Sequence, residues 1–335
     1  RDHLDYHRTY KDYLKSKLIL FNKLLINQGN IIYDKKISQA KEIEKISNKR
    51  KFKTFNFGTD NSLIKIINIQ KINDLKQVDV SINKKKFSFK TSLIGNIQIK
   101  NLIFAIVAAK LSKIELKDIL QKIHKIKPIS GRFEKIGKIL NRSKVILDYA
   151  HTPEALKTVI LNIKEDFPLS KISLVFGCGG DRDKKKRSIM GNIASKYCDK
   201  VYLTDDNPRN ENPNLIRNQI KKGIKKNNFI EIASRSKAIS TAIDELNSGD
   251  LLVVAGKGHE NYQEYKKKIF FSDKAEILKA INKKNLNLSK SVKTNILIEN
   301  LQRKNIKKNL QIKYVSINSK NIKRNSIFIG VKGKN

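Results

Sequence analysis

The run LLVVAGKGHE at 251–260 decides the fold. Five apolar residues in succession, closed by a glycine-bearing polar turn, describe a strand buried on both faces; a half-exposed strand would alternate instead. The same pattern recurs upstream in KVILDYAH (144–151), ISLVFGCGGDRD (172–183) and KVYLTDDNPR (200–209), with a shorter FIEIA at 229–233. Helical stretches separate these runs: one from Pro153, one through RSIMGNIASKY, one near 213–224 and one from about Lys237 to Leu246. Strand alternating with helix predicts a mostly parallel sheet with helices on both faces. Such folds bind ligands at the carboxyl ends of their strands, which makes DYAHTP, GCGGDRD, TDDNPR and GKGHE the informative segments.

The N-terminal part reads differently. An amphipathic helix is predicted from about Thr9 to Leu25, with Tyr10, Tyr13, Leu14, Leu18, Phe21 and Leu24 at helical spacing and Lys17 in the middle of that stripe. Short strands follow (FKTFNFG, SLIKIINIQ, DVSIN, KFSFKTSL), then helices near 101–112 and 116–126. The fold class is therefore α/β with some antiparallel strand. From about Asn285 the chain turns rich in Asn, Lys and Ser, as expected of a linker, before recovering in KYVSINSKNIKRNSIFIGVKGKN as two short strands around a polar turn.

At 335 residues the chain is long enough for two ordinary domains and part of a third. Its formal net charge of +40 favours a phosphate-rich partner at first sight. The lysines, however, are spread along the whole length among Asn and Ile. A nucleic-acid binder would gather them in a patch interleaved with stacking aromatics, so no specific nucleic-acid partner is expected. Two cysteines cannot build a disulfide framework or a four-cysteine zinc site, and reduced thiols in a cytoplasmic protein are the default. No run reaches the roughly 18 apolar residues of a membrane span; NLIFAIVAA at 101–109 reads as a buried helix. The chain opens on Arg1 with no signal-peptide core, and a piece of a longer protein is expected.

GCGGDRDKKKR lies between a strand and a helix, where backbone N–H groups can face an anion. It lacks the third glycine of a dinucleotide fingerprint, which argues against a Rossmann oxidoreductase. Taken together, RDHLDYH, the lysine-bearing helix, SGRFE, LDYAHTPEAL, VFGCGGDRD, TDDNPRNENP and VVAGKGHENYQ resemble, in order and wording, the Mur ligases of peptidoglycan precursor synthesis. Within that family they resemble the branch that adds diaminopimelate, over residues 1 to about 283.

The resemblance implies a set of expectations. The fold would be the remainder of a Mur ligase central, ATP-binding domain (1–129) followed by a Rossmann-like carboxy-terminal domain that binds the amino acid (130–284). A linker (285–308) and the start of a MurF-like amino-terminal domain (309–335) would complete the chain. The reaction would be ATP-dependent addition of meso-diaminopimelate to UDP-N-acetylmuramoyl-L-alanyl-D-glutamate. No phosphate loop of the form G-x-x-x-x-G-K-[ST] occurs in these residues, so the piece alone would be inactive.

For individual residues, the resemblance makes His3 a magnesium ligand and Lys17 a second one after carbamoylation by CO2, which turns a cation into an oxygen donor. It assigns ATP contacts to Asn101, Asp148, His151 and Arg132, the last reaching the terminal phosphate and acting in catalysis. Gln98 stands where the family has Asn. Arg182, Asp206, Asn207, Arg209, Gly256 and Glu260 would form the diaminopimelate pocket. There Arg209 would grip the distal carboxylate, and Asp206 or Asn207 would receive the distal ammonium. DNPR is the family's mark of diaminopimelate against lysine. In the tail, Asn318 and Lys320 replace the Asp and Arg usual at a MurF-like start; the resemblance implies a fusion to a MurF-like ligase. The rival readings are another Mur ligase or a folylpolyglutamate synthase, which would lack DNPR with GKGHE, and, from another class, a basic nucleic-acid-binding protein.

Overall fold

In a computed structural model of the chain, the described residues are 7, 9–290, 292–293, 311–312, 314–316 and 326–328. They form two α/β units. In the first, α1 (Tyr10–Ile19) is N-capped by the Thr9 hydroxyl, which accepts from Asp12 N, and passes into a π-helical turn at Leu20–Leu24. The expected helix is therefore continuous in place but changes pitch halfway. Its stripe also divides. Leu18 is buried and Leu14, Phe21 and Leu25 pack beside it, while Tyr10 and Leu24 are exposed.

Strands β1 (Asn30–Asp34), β2 (Lys53–Phe57), β3 (Ile64–Ile72), β4 (Leu75–Ile82) and β5 (Lys85–Thr91) lie side by side in that order, with α2 (Ala40–Lys49) between the first two. The β1–β2 and β2–β3 pairs are parallel, and β3–β4 and β4–β5 are antiparallel. Alternation in β4 buries Val78, Val80 and Ile82 beneath α3 (Asn96–Leu111). The α3 positions facing them are Ile99, Leu102, Ile103, Ile106 and Val107, the stripe of a buried helix that the apolar run around 101–109 indicates. A short α4 (Leu116–Lys122) closes the unit.

The second unit is the doubly wound sheet read from the sequence. Its strands are β6 (Glu134–Lys135), β7 (Lys144–Asp148), β8 (Ile172–Phe176), β9 (Lys200–Leu203), β10 (Phe229–Glu231) and β11 (Leu251–Ala255). Their spatial order is β10-β9-β8-β11-β7-β6, parallel except for the β6 edge. Central β11 shows why its sequence is apolar throughout. Leu251, Val253 and Ala255 face one core with α5 (Pro153–Asp166), α6 (Lys185–Tyr197) and α7 (Pro213–Lys221). Leu252 and Val254 face the other with α8 (Arg235–Asp244) and α9 (Asp273–Lys290). Both cysteines are buried in the first of these cores, and burial pushes each thiol up to about 12.

Helix α9 runs on to Lys290, so the first positions of the expected linker are helical. Asn285 fixes this stretch, accepting from Leu140 N at 2.9 Å and donating to Lys138 O at 2.8 Å, and Leu288 packs against the core. Beyond it, Tyr314–Ser316 and Ser326–Phe328 pair in parallel, while Asn318 and Lys320 lie outside the described residues.

The two units meet at the end of α5. The Asp166 carboxylate accepts from Lys76 Nζ at 2.5 Å and from Gly95 N at 2.7 Å, and its carbonyl accepts from Lys71 Nζ at 3.0 Å. Asn162 Oδ1 adds a bond from Ile97 N at 3.1 Å.

Candidate active site

The loops after β7, β8, β9 and β11 converge at one end of the sheet and line a cavity of about 240 Å³. Arg182, Asp206, Asn207, Arg209, Gly256 and Glu260, all six residues expected for amino-acid binding, are on its wall, together with His151, Tyr149, Lys186 and Tyr262. The structure thus brings together residues as far apart as 149 and 262. The wall carries both signs of charge, with Arg182, Lys186 and Arg209 against Asp206 and Glu260.

Glycine at two turns allows this convergence. A Cβ at Gly180 would stand 1.8 Å from Pro208 O, and one at Gly131 would stand 2.4 Å from His259 N in a backbone of φ +69°. Gly180 N donates to Asn207 O at 2.8 Å and Asp181 N to Glu211 Oε1 at 2.7 Å. These N–H groups are thus taken up in clamping the GCGGDR loop to the DNPR loop, and do not line up toward an anion. Deeper still, Arg187 is fully buried and holds both Glu211 oxygens at 2.8 Å as well as Gly179 O at 3.0 Å.

Arg209 is held in the left-handed region at φ +54°. Its backbone is pinned on both sides, N donating to Glu264 O at 2.9 Å and O accepting from Lys266 N at 3.0 Å. Strand β12 (Tyr262–Tyr265), which pairs with β13 (Lys267–Phe270), supplies the first of these contacts. The guanidinium donates to Gly180 O at 2.8 Å and lies 3.3 Å from Glu264 Oε2, which leaves donors of its fork for a ligand. A non-glycine residue held in this conformation by surrounding structure is the kind of strain that accumulates at functional sites.

Asn207 is buried, and its orientation is fixed. Its Oδ1 accepts from Lys257 Nζ at 2.9 Å and from Glu264 N at 3.1 Å, so its amide N–H points to Glu260 Oε2 at 3.0 Å. Glu260 Oε2 also accepts from Lys257 at 3.1 Å, and its Oε1 lies 3.4 Å from the Tyr149 hydroxyl. Burial, with the Glu260 charge, raises the Tyr149 phenol above its ordinary value. Gly256, at φ +115°, leaves room for Asp206: a Cβ there would sit 2.6 Å from Asp206 Oδ2.

Of the residues expected to meet the nucleotide, Arg132, Asp148 and His151 gather around Tyr149, while Asn101 lies apart. Arg132 is exposed, its guanidinium 4.7 Å from the centre of the Tyr149 ring, and that ring also stacks edge-on with His151 at 4.6 Å. His151 lines the cavity and accepts at its carbonyl from Lys186 Nζ at 2.9 Å. Asp148 is buried, and both its oxygens serve backbone: Oδ2 accepts from Phe133 N at 2.9 Å and Oδ1 from Ala150 N at 2.8 Å. Burial raises its carboxyl above the usual range. Its evident task is to tie the GRF loop to the end of β7. Asn101 is exposed on α3 and takes no part in the cavity wall. Lys17 is exposed, its ammonium 5.5 Å from the Tyr13 ring centre, and His3 lies outside the described residues. Among the described residues no group of three or more His, Cys, Asp or Glu side chains is arranged to hold a metal ion.

Sequence reading passed over Lys257, Arg235, Asp273 and Tyr149. Lys257 lies inside the quoted GKGHE, but a lysine in a lysine-rich chain carries no signal of burial. Arg235 and Asp273 open two separate helices and form a fully buried pair with both contacts at 2.7 Å.

Comparisons with known proteins agree with this architecture. The models of the Mur ligase middle domain and of the Mur ligase glutamate ligase domain match residues 1–109 and 131–258. The chain is 38% identical over 283 residues to the UDP-N-acetylmuramoyl-L-alanyl-D-glutamate--2,6-diaminopimelate ligase of Rickettsia montanensis, covering 83% of this chain and 57% of that protein. The protein of the same name from Buchnera aphidicola subsp. Baizongia pistaciae is 38% identical over 291 residues, with 85% and 57% covered. The chain thus spans somewhat over half the length of these curated relatives. A solved structure of a diaminopimelate ligase of that name superposes with a TM-score of 0.57 at 30% identity, over 84% of this chain and 58% of the other. The MurF ligase of Thermotoga maritima, in complex with ADP, superposes with a TM-score of 0.62 at 15% identity, covering 85% and 60%, a likeness of fold. No helix among the described residues is long and apolar enough to cross a membrane. The chain belongs to the Mur ligase family, of which it carries middle-domain and glutamate-ligase-domain sequence.

Proposed function

We propose that the protein of which this chain is part joins meso-diaminopimelate to UDP-N-acetylmuramoyl-L-alanyl-D-glutamate in the cytoplasm at the expense of ATP. One observation carries the reading: a single cavity presents Arg182 and Arg209 together with Asp206, Asn207 and Glu260. Diaminopimelate has two amino-acid ends, each with one carboxylate and one ammonium. A guanidinium fork suits the distal carboxylate, and the Asp206 carboxylate suits the distal ammonium, the Asn207 amide oxygen being already taken by Lys257 and Glu264 N. Lysine, which lacks the distal carboxylate, would leave the remaining donors of the Arg209 fork unanswered, and polar recognition of this kind discriminates strongly. The names of the relatives at 38% identity support the same substrate pair.

The chemistry follows from a carboxylate that must be activated before an amine can attack it. The terminal glutamate carboxylate of the dipeptide takes the γ-phosphoryl group from ATP, giving an acyl phosphate and ADP. The diaminopimelate amine then attacks the acyl carbon, an amide bond forms, phosphate leaves and the amine gives up a proton. Arg132, exposed over Tyr149, would neutralise charge on the transferred phosphoryl group, while the cavity holds the amine in place. Magnesium would supply further charge neutralisation when bound, with His3 and a carbamoylated Lys17 as its proposed holders.

Ligase activity of the full-length gene product, measured with ATP, the UDP-muramoyl dipeptide and either diaminopimelate or lysine, tests the reading. Turnover with diaminopimelate at least about a hundredfold above lysine is expected from recognition of a buried charged group. Equal turnover of the two overturns it.

A further inference from the structure

Two cations lie beneath the cavity wall, and neither is on it. Lys257 and Arg235 are both fully buried. Lys257 reaches Asn207 Oδ1 and Glu260 Oε2 from below, at 2.9 and 3.1 Å. Arg235 has one edge occupied by Asp273 and also donates to Ala255 O at 2.9 Å. Its remaining nitrogen, Nη1, finds no hydrogen-bond partner and lies 4.0 Å from Asp206 Oδ2. A buried donor without a partner is costly and calls for a reason.

From this arrangement we infer that Lys257 and Arg235 are positioning residues that hold the acidic half of the cavity, Glu260 with Asn207 and Asp206 respectively, in the geometry that receives the distal ammonium. The inference rests on the proposed reading of the ligand and adds to it two residues that never touch the ligand. Lys257 acts by fixing an orientation. With Oδ1 of Asn207 committed to a cation and to Glu264 N, the amide cannot flip, and both its N–H and the lysine converge on one Glu260 oxygen, leaving the other turned toward Tyr149. Arg235 acts through charge. Asp273 neutralises it on the far side, and its free edge faces the one carboxylate of the wall that receives no side-chain hydrogen bond of its own, with Gly256 leaving the gap between them unfilled. Both cations are preorganised supports of the kind that keep a binding constellation in register.

The test uses Lys257→Met and the paired replacement Arg235→Met with Asp273→Leu, the second because it removes the buried pair without stranding either charge. Steady-state kinetics of the full-length protein would be read for all three substrates. The expected result is a rise of at least tenfold in the KM for diaminopimelate in each variant. The KM values for ATP and for the UDP-muramoyl dipeptide should stay within threefold of wild type, as should kcat at saturating amino acid. A general loosening of the fold would instead move all three KM values together, and that outcome overturns the inference, as does an unchanged KM for diaminopimelate. Where Lys257→Met is too unstable to assay, the paired replacement carries the decision. A wild-type protein that does not use diaminopimelate overturns the ligand assignment and this inference with it, whereas wild-type use with unaffected variants overturns this inference alone.

Discussion

Replacing Glu211 by Gln should loosen the clamp that joins the GCGGDR and DNPR loops, and the size of the effect can be worked out in two ways. Glu211 accepts both guanidinium nitrogens of the fully buried Arg187 at 2.8 Å and the Asp181 amide at 2.7 Å. The Arg187 guanidinium holds its carboxyl down from 4.5 to about 2, against a smaller opposing effect of burial. That depression is worth about 3 kcal/mol of stability at neutral pH. Independently, stripping a buried charge of its partner costs roughly 3–5 kcal/mol, and Gln keeps one oxygen for Arg187, which favours the lower end. Because the folded carboxyl titrates below the unfolded one, the contribution is complete above about pH 5.5 and is lost as pH falls toward 2. By pH 3.5 about 1.4 kcal/mol of it should have gone. Urea unfolding of wild type and Glu211→Gln at pH 6.5 and pH 3.5 should therefore show a stability gap near 3 kcal/mol that shrinks by close to half in acid. A gap that does not change with pH, or one below about 0.5 kcal/mol at pH 6.5, refutes the reasoning.

Gly180→Ala places a methyl group against Pro208 O and should destabilise by about 1–3 kcal/mol while raising the KM for diaminopimelate, since the DNPR loop must retreat; unfolding and kinetics on one preparation check both. Arg209→Ala should raise the KM for diaminopimelate by about 10- to 100-fold, the loss of a charge-assisted contact, with that for ATP unchanged. Lys17→Ala should lose most activity and regain part of it with added short carboxylic acids; full activity without rescue would show that no carbamate is needed there. Asp166→Ala removes the partner of the nearly buried Lys76 and the acceptor of Gly95 N, and should split a single thermal transition into two as the units unfold separately, which calorimetry would register.

The second unit was legible because strands buried on both faces spell themselves out as apolar runs, and β7, β8, β9 and β11 do so, with Ser173 of β8 the one polar residue inside such a run. The first unit hid more. Strand β1 and helix α2 fall in a stretch dense in Lys, Asn and Ser, where Ile31, Tyr33, Ala40, Ile43 and Ile46 are few apolar positions among many polar ones. The extent of α9 was hidden in the same way, since Asn285 reads as linker and acts as a clamp. At the cavity, acidic residues and arginines at strand ends could be read from motif wording. The cations beneath could not, because burial of Arg235 and Lys257 arises only when loops distant in sequence close over them.

The two cysteines give the molecule an internal clock. Cys178 sits in the wall loop between Gly177 and Gly179, and Cys198 follows α6 behind the same sheet, each shut away from solvent and each pushed up to about 12. Neither thiol can react while the sheet stays closed, since the attacking thiolate is both scarce and inaccessible. Alkylation timed residue by residue would thus record how often the cavity wall lifts off the sheet separately from how often the whole domain opens. Electrophiles aimed at cysteine would act on the protein only at the pace of those openings.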